Sequence, residues 1–194
     1  MIYRHYATPE AVARAVAEEA FVRPSREGWV HIAVSGGSTP RLLFELLASE
    51  PLASSVQWDR VHLYWVDERC VPPTDAESNY GMTEETLLRH VPIPEGQVHR
   101  IAGEKDPERE AKDYSWLVGS ELPFDGEYPI FDVVILGLGD DGHTSSIFPH
   151  QMELLETDQP YAVGVSPRGQ KRVAMTGPTI LAAKKLLLDR KSVV

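Results

Sequence analysis

The run Phe131-Asp132-Val133-Val134-Ile135-Leu136 constrains this chain most. It empties directly into Gly137-Leu138-Gly139-Asp140-Asp141-Gly142-His143-Thr144-Ser145-Ser146. A short apolar run rich in β-branched residues and bounded by glycine reads as a buried, parallel strand. Three glycines then let the backbone turn sharply, and the turn carries a carboxylate pair and an imidazole. Open α/β sheets place their chemistry just outside the carboxyl ends of their strands. Asp141 and His143 are therefore the first candidates for that chemistry.

Two more segments repeat the pattern. Trp29–Val34 is a strand broken by Ser35-Gly36-Gly37-Ser38-Thr39-Pro40, after which Arg41 to Leu47 resumes helical periodicity with its leucines on one face. Freed N–H groups and the positive end of the helix dipole make such a turn suited to an anion. Ser38 and Thr39 add hydroxyls, and Gly36 and Gly37 allow close approach. A plain βα turn with a capping hydroxyl uses the same residues, so both readings stand. No Gly-Lys-Ser/Thr follows, so it is not a P-loop. Val61–Val66 is a second strand, ending in Asp67-Glu68-Arg69-Cys70. Asp67 has the chemistry of a base or of a holding group, and Arg69 that of a bidentate anion grip; a solvated Asp–Arg pair is the plainer account. Cys70 reads as a packing residue.

Helices are expected from the cap Thr8-Pro9-Glu10 through Val22, near Gly81 to His90, from Asp106 to Leu117, and from Gly177-Pro178 to Ala183. Tyr161–Val165 and Arg172–Thr176 read as further strands. Arg168, Lys171 and Arg172 form a cationic cluster near one of them. His90 and His99 have no partner at metal-ligand spacing, and no metal site is expected.

Composition narrows the class. The 194 residues suit one domain, and a net charge of -10 argues against nucleic acid. An anionic substrate would need a few local cations and helix ends to hold it. With one cysteine there is no internal disulfide, no apolar run approaches a membrane span, and the N-terminus lacks a signal-peptide core, so a cytoplasmic chain is expected.

The central loop matches Gly-x-Gly-x-x-Gly, yet Asp140 and Asp141 would face a pyrophosphate of like charge, deep in the chain and not on a first βαβ unit. A hydrolytic or proton-transfer dyad fits better, with Asp141 orienting His143. Ser35–Pro40, Asp67-Glu68-Arg69, Glu77-Ser78-Asn79-Tyr80-Gly81 and Gly137–Pro149, in that order and spacing, together resemble the 6-phosphogluconolactonase family, within the wider group that includes glucosamine-6-phosphate deaminases. Deaminases carry an acid in a Phe-Asn-Glu-Pro segment where this chain has Ser146-Ile147-Phe148-Pro149. They also have an aromatic residue where it has Arg69.

The resemblance implies a Rossmann-like three-layer α/β sandwich with a mostly parallel sheet. It implies hydrolysis of 6-phospho-D-glucono-1,5-lactone in the oxidative pentose phosphate pathway, without a cofactor. His143 would be the base, Asp141 its holder, and Asp67 a sugar-binding or supporting acid. Gly36, Gly37, Ser38, Thr39, Arg69, Ser78, Asn79, Gly139 and Arg172 would bind substrate and phosphate. The expected partner is a phosphorylated sugar lactone, with no nucleic acid or membrane and a monomer or weak homo-oligomer. Residues 1–194 are expected to form one lactonase domain lacking the family's last strand and C-terminal helix. Two alternatives accompany this reading: sugar-phosphate binding without turnover, as in an inactive shortened variant, and a deaminase-type reaction.

Overall fold

The computed structural model describes residues 2–124 and 126–189. Thr8 caps α1 (Pro9–Ala17) by accepting from the Ala11 amide, and the helix runs through a π-helical turn, Glu18–Val22, into α2 (Arg23–Glu27). There follow β1 (Val30–Val34), α3 (Ser38–Leu47), α4 (Leu52–Ser55), β2 (Val61–Trp65), β3 (Asp67–Arg69), α5 (Asn79–Thr83), β4 (Val98–His99), α6 (Pro107–Glu121), β5 (Val133–Gly137), β6 (Tyr161–Val165), β7 (Lys171–Met175), α7 (Gly177–Ala182) and β8 (Leu186–Asp189).

Five strands form a wholly parallel sheet in the order β4-β2-β1-β5-β8. Its three central strands are apolar because both faces are covered: Ile32, Ala33, Val61, Leu63, Val133 and Val134 are all buried. From β1 the chain builds outward to β2 and β4, then returns to the other side of β1 as β5. The order therefore reverses between β1 and β5, where an open sheet splays its loops apart and leaves a crevice at the carboxyl ends. Ser35, just past β1, donates its hydroxyl to the Ile135 carbonyl at 2.8 Å and ties the two strand ends together.

Three local readings change. Asp67-Glu68-Arg69 is not a solvated strand end. It is β3, the edge of a second, antiparallel sheet of order β3-β7-β6, with Asp67 and Glu68 buried. The helix expected near Gly81–His90 begins at Asn79 and passes into a π-helical turn, Glu84–Leu88. A strand not read from the sequence follows α7: β8 pairs parallel to β5 from Val134↔Leu186 to Gly137↔Asp189. The expected absence of a terminal helix concerns residues beyond 189, outside the described residues.

Two tyrosines join the sheets. Tyr161 on β6 donates to the Trp65 carbonyl at 2.8 Å, and Tyr114 on α6 donates to the His99 carbonyl at 2.6 Å. Both rings are fully buried and meet edge-on at 4.7 Å, which seats the second sheet against the carboxyl ends of the first.

Candidate active site

The crevice between β1 and β5 is a cleft of about 190 Å³ lined by residues from four strand ends. Ser35 and Gly36 follow β1, Gly137 and Gly139 follow β5, Asp67 and Arg69 come from β3, and Arg172 comes from β7. His143 and Ser145 close it from the central loop. Three of the four motifs separated in sequence meet here, and the fourth, Glu77–Gly81, lines a neighbouring cleft.

The structure brings the Asp141 and His143 side chains together. His143 Nδ1 lies 2.5 Å from Asp141 Oδ1, which also accepts the His143 amide at 3.2 Å. An ionised carboxylate only accepts, so Nδ1 carries the ring proton and Nε2 is the basic nitrogen. The bond from His143 holds the Asp141 carboxyl below its ordinary range. Gly142, with φ of 87°, makes the turn that brings the two side chains together. Gly139 makes room for them: a β-carbon there would lie 2.3 Å from the His143 ring. Ser145 adopts a positive φ of 53°, which costs a residue with a side chain of order 1–3 kcal/mol and recurs at functional sites. Its hydroxyl reaches the Met175 carbonyl at 3.2 Å.

Asp67 is tied down on both oxygens. Oδ2 accepts from the Ser146 hydroxyl at 2.5 Å and faces Arg172 Nη1 at 3.8 Å, while Oδ1 accepts from the Asn79 amide at 3.3 Å. This acid holds its neighbours in place. Ser146, fully buried, joins β3 to the central loop; sequence reasoning passed over it because its partner lies 79 residues away.

Glu68, also passed over, is the clamp of the second half. Its buried carboxylate accepts from the amides of Arg69, Asn79 and Tyr80 at 2.7–2.8 Å and from the Ser78 hydroxyl at 3.0 Å. Burial pushes its carboxyl upward, against the pull of those four donors. Asn79 is thereby pinned over Gly36, where a β-carbon would sit 1.8 Å from the Asn79 side-chain oxygen. Glycine is required there by packing.

The cations lie around this frame. Arg69 Nη1 donates to the Glu77 carbonyl at 2.6 Å, and the Nε groups of both Arg69 and Arg172 are buried without a partner among the described residues. Burial lowers the Arg172 guanidinium from its ordinary value, with the charge of Arg69 adding to the effect and that of Asp67 opposing it. Two half-buried guanidiniums beside one cleft, each with a buried and unpaired Nε, are suited to an anion.

Arg69 also lines a second cleft of about 340 Å³, with Gly37, Ser38, Arg41, Glu77, Ser78 and Asn79 among its walls. The Gly37 φ of 113° starts α3. Gly36 therefore borders the first cleft and Gly37 and Ser38 the second, while Thr39, in the first turn of α3, lines neither. Among the described residues no group of three or more His, Cys, Asp or Glu is arranged to hold a metal ion.

Residues 5–189 match the family model of glucosamine-6-phosphate isomerases/6-phosphogluconolactonase. A 6-phosphogluconolactonase of Haemophilus influenzae is 38% identical over 186 residues, 96% of this chain and 78% of that protein. One of Treponema pallidum is 44% identical over 156 residues, 80% of this chain and 64% of that protein. The solved 6-phosphogluconolactonase of Trypanosoma brucei superposes with a TM-score of 0.84 at 30% identity, covering 95% of this chain and 80% of that one. The chain belongs to the glucosamine-6-phosphate isomerase/6-phosphogluconolactonase family.

Proposed function

We propose that this protein hydrolyses 6-phospho-D-glucono-1,5-lactone to 6-phosphogluconate, in the oxidative pentose phosphate pathway. The single observation that carries the reading is the Asp141–His143 dyad in a cleft walled by Arg69 and Arg172, in a chain related to 6-phosphogluconolactonases.

His143 Nε2 takes a proton from a water whose oxygen bonds to the lactone carbonyl carbon. The carbonyl electrons move onto oxygen, where backbone amides of the Gly137–Gly139 turn or Arg69 stabilise the developing charge. Asp141 steadies the imidazolium and keeps the ring in one tautomer. When the tetrahedral intermediate collapses, the bond from the carbonyl carbon to the ring oxygen breaks. His143 returns its proton to that oxygen, and the new carboxylic acid ionises to solvent. Each proton is accounted for, and the step calls for no redox partner.

The phosphate serves as a handle remote from the reacting bond, and its binding energy orients the ring. The Gly36–Ser38 turn, Arg69 and Arg172 are the groups suited to hold it, with Thr39 at the helix start behind them. Ser78 and Asn79 keep this wall in place, and Asp67 supports Arg172. Phe148 is apolar where a deaminase needs an acid, which disfavours amine chemistry. The test is a coupled assay with the phosphorylated lactone, corrected for spontaneous hydrolysis. Turnover above that background supports the reading; phosphate binding with no turnover would replace it with a sugar-phosphate-binding role.

A further inference from the structure

Phe148 is 3% exposed, yet it does not simply fill the core. Its ring centroid lies 4.7 Å from that of His143 at an interplanar angle of 35°, and the Arg172 guanidinium carbon lies 5.6 Å from the same centroid. The imidazole of His150 stacks on it at 5.7 Å and 18°, and His150 Nε2 is held by the Val165 carbonyl at 3.1 Å. One aromatic ring, clamped by a third residue, thus touches both the base and an anion-binding cation.

Neither of those groups is well fixed without it. Among the described residues the His143 ring has one side-chain hydrogen bond, to the Asp141 carboxylate, which sets the position of Nδ1 but does not by itself fix the plane of the ring. The polar contacts of Arg172 are long: 3.4 Å to Ser146, 3.4 Å to Gln170 and 3.8 Å to Asp67. A guanidinium beside an aromatic ring gains electrostatic attraction that grows with desolvation. An imidazole packed on the ring loses the freedom to rotate away from Asp141.

We propose that Phe148 is a positioning residue that aligns the general base and the substrate-binding cation through one ring. The inference rests on the lactonase reading for its kinetic part, and on the dyad geometry alone for its structural part.

The substitutions Phe148→Leu and Phe148→Ala separate the two contacts. Leucine keeps bulk beside His143 but offers Arg172 no π-face. For Phe148→Leu we expect KM for the phosphorylated lactone to rise roughly 3- to 30-fold with kcat within about twofold of wild type. Alanine removes both contacts, and kcat should fall about 10- to 100-fold in addition. A merely structural role would lower the active fraction and move kcat alone in both variants.

The second readout is independent of activity. The ¹⁵N spectrum of the His143 ring, identified by its loss in His143→Ala, should show a single tautomer protonated at Nδ1 in the wild type and in Phe148→Leu. In Phe148→Ala it should show a mixture. An unchanged KM in Phe148→Leu, or a single tautomer with wild-type kcat in Phe148→Ala, would overturn the proposal. If the wild type turns over no lactone, the functional reading fails, and the ¹⁵N spectra still decide whether Phe148 orients the dyad. Should Phe148→Ala fail to fold, the KM and kcat of Phe148→Leu decide the role of the ring.

Discussion

The His143 imidazole occupies the space that a side chain at Gly139 would fill: a β-carbon built on Gly139 lies 2.3 Å from the ring and 2.9 Å from Asp141 Oδ1. Gly139 is not in the left-handed region, so a substitution there strains contacts and not backbone. Gly139→Ala should displace the dyad by a fraction of an ångström to an ångström and lower kcat about 100-fold, because reaction geometry is steep in distance. Its Tm should stay within a few degrees of wild type. A full-activity Gly139→Ala enzyme, measured beside its melting curve, would remove the dyad from the mechanism.

Asp141→Asn tests the tautomer. An amide can present its N–H to Nδ1, which would send the ring proton to Nε2 and leave no base facing the water. The expected loss is about 10³–10⁴-fold in kcat with KM within a few-fold, by analogy with orienting carboxylates elsewhere. Steady-state kinetics at pH 7–8 read both numbers. A rise in KM with unchanged kcat would recast Asp141 as a substrate ligand.

Arg172→Met tests the cation. Methionine keeps the stem's packing but leaves Asp67, buried beside it, without its cationic neighbour. KM should rise about 10- to 100-fold, with a smaller change in kcat. Ser146→Ala removes the hydroxyl that Asp67 receives at 2.5 Å and should lower stability by about 1–3 kcal/mol in urea unfolding. Wild-type KM in Arg172→Met would move the anion site to the second cleft, at Ser38 and Arg41.

One face of the parallel sheet carries a separate pH response. His31, His62 and His99 lie side by side across β1, β2 and β4, with His62 Nδ1 3.0 Å from His99 Nε2 and Tyr64 stacked on His99 at 4.4 Å. Burial, then the charges of His62 and His31, pushes His99 down to about 4 from an ordinary 6.5. His31 and His62 are lowered too, chiefly by burial, while Asp132 and Glu121 pull His31 the other way.

These rings stay neutral in the fold while the unfolded chain takes up protons near pH 6.5. Acid therefore favours unfolding. Stability should be intact above about pH 6.5 and fall progressively as pH drops toward 4. After discounting for partial exposure, Tm should fall by roughly 3–5 °C between pH 7 and 5. Differential scanning calorimetry of His99→Gln should show a flatter profile; an identical profile would assign the acid sensitivity to other groups.

The parts of this fold readable in advance are those whose cause is local. An apolar run emptying into glycines marks a parallel strand and its functional edge, so Val133–Gly137 and the Asp141–His143 turn were legible, as was the Gly36–Ser38 turn before α3. Glu68 and Ser146 were not, because their partners are reached across the sheet junction, and a buried Glu is indistinguishable in sequence from a solvated one. The histidine row depends on the register that sets His31 against His62 and Tyr64 against His99. Leu186–Asp189 was not read as a strand, since four residues become one only by pairing with β5. The second sheet was hidden because β3 follows β2 after a single residue, Val66, with no turn signal between them.

The proposed reaction depends on His143 as the base. The most direct measurement is kcat/KM of His143→Ala against wild type in the coupled assay, with spontaneous lactone hydrolysis subtracted and melting curves confirming the fold. The expected loss is about 10²–10⁴-fold. A folded His143→Ala enzyme within twofold of the wild-type rate would contradict it.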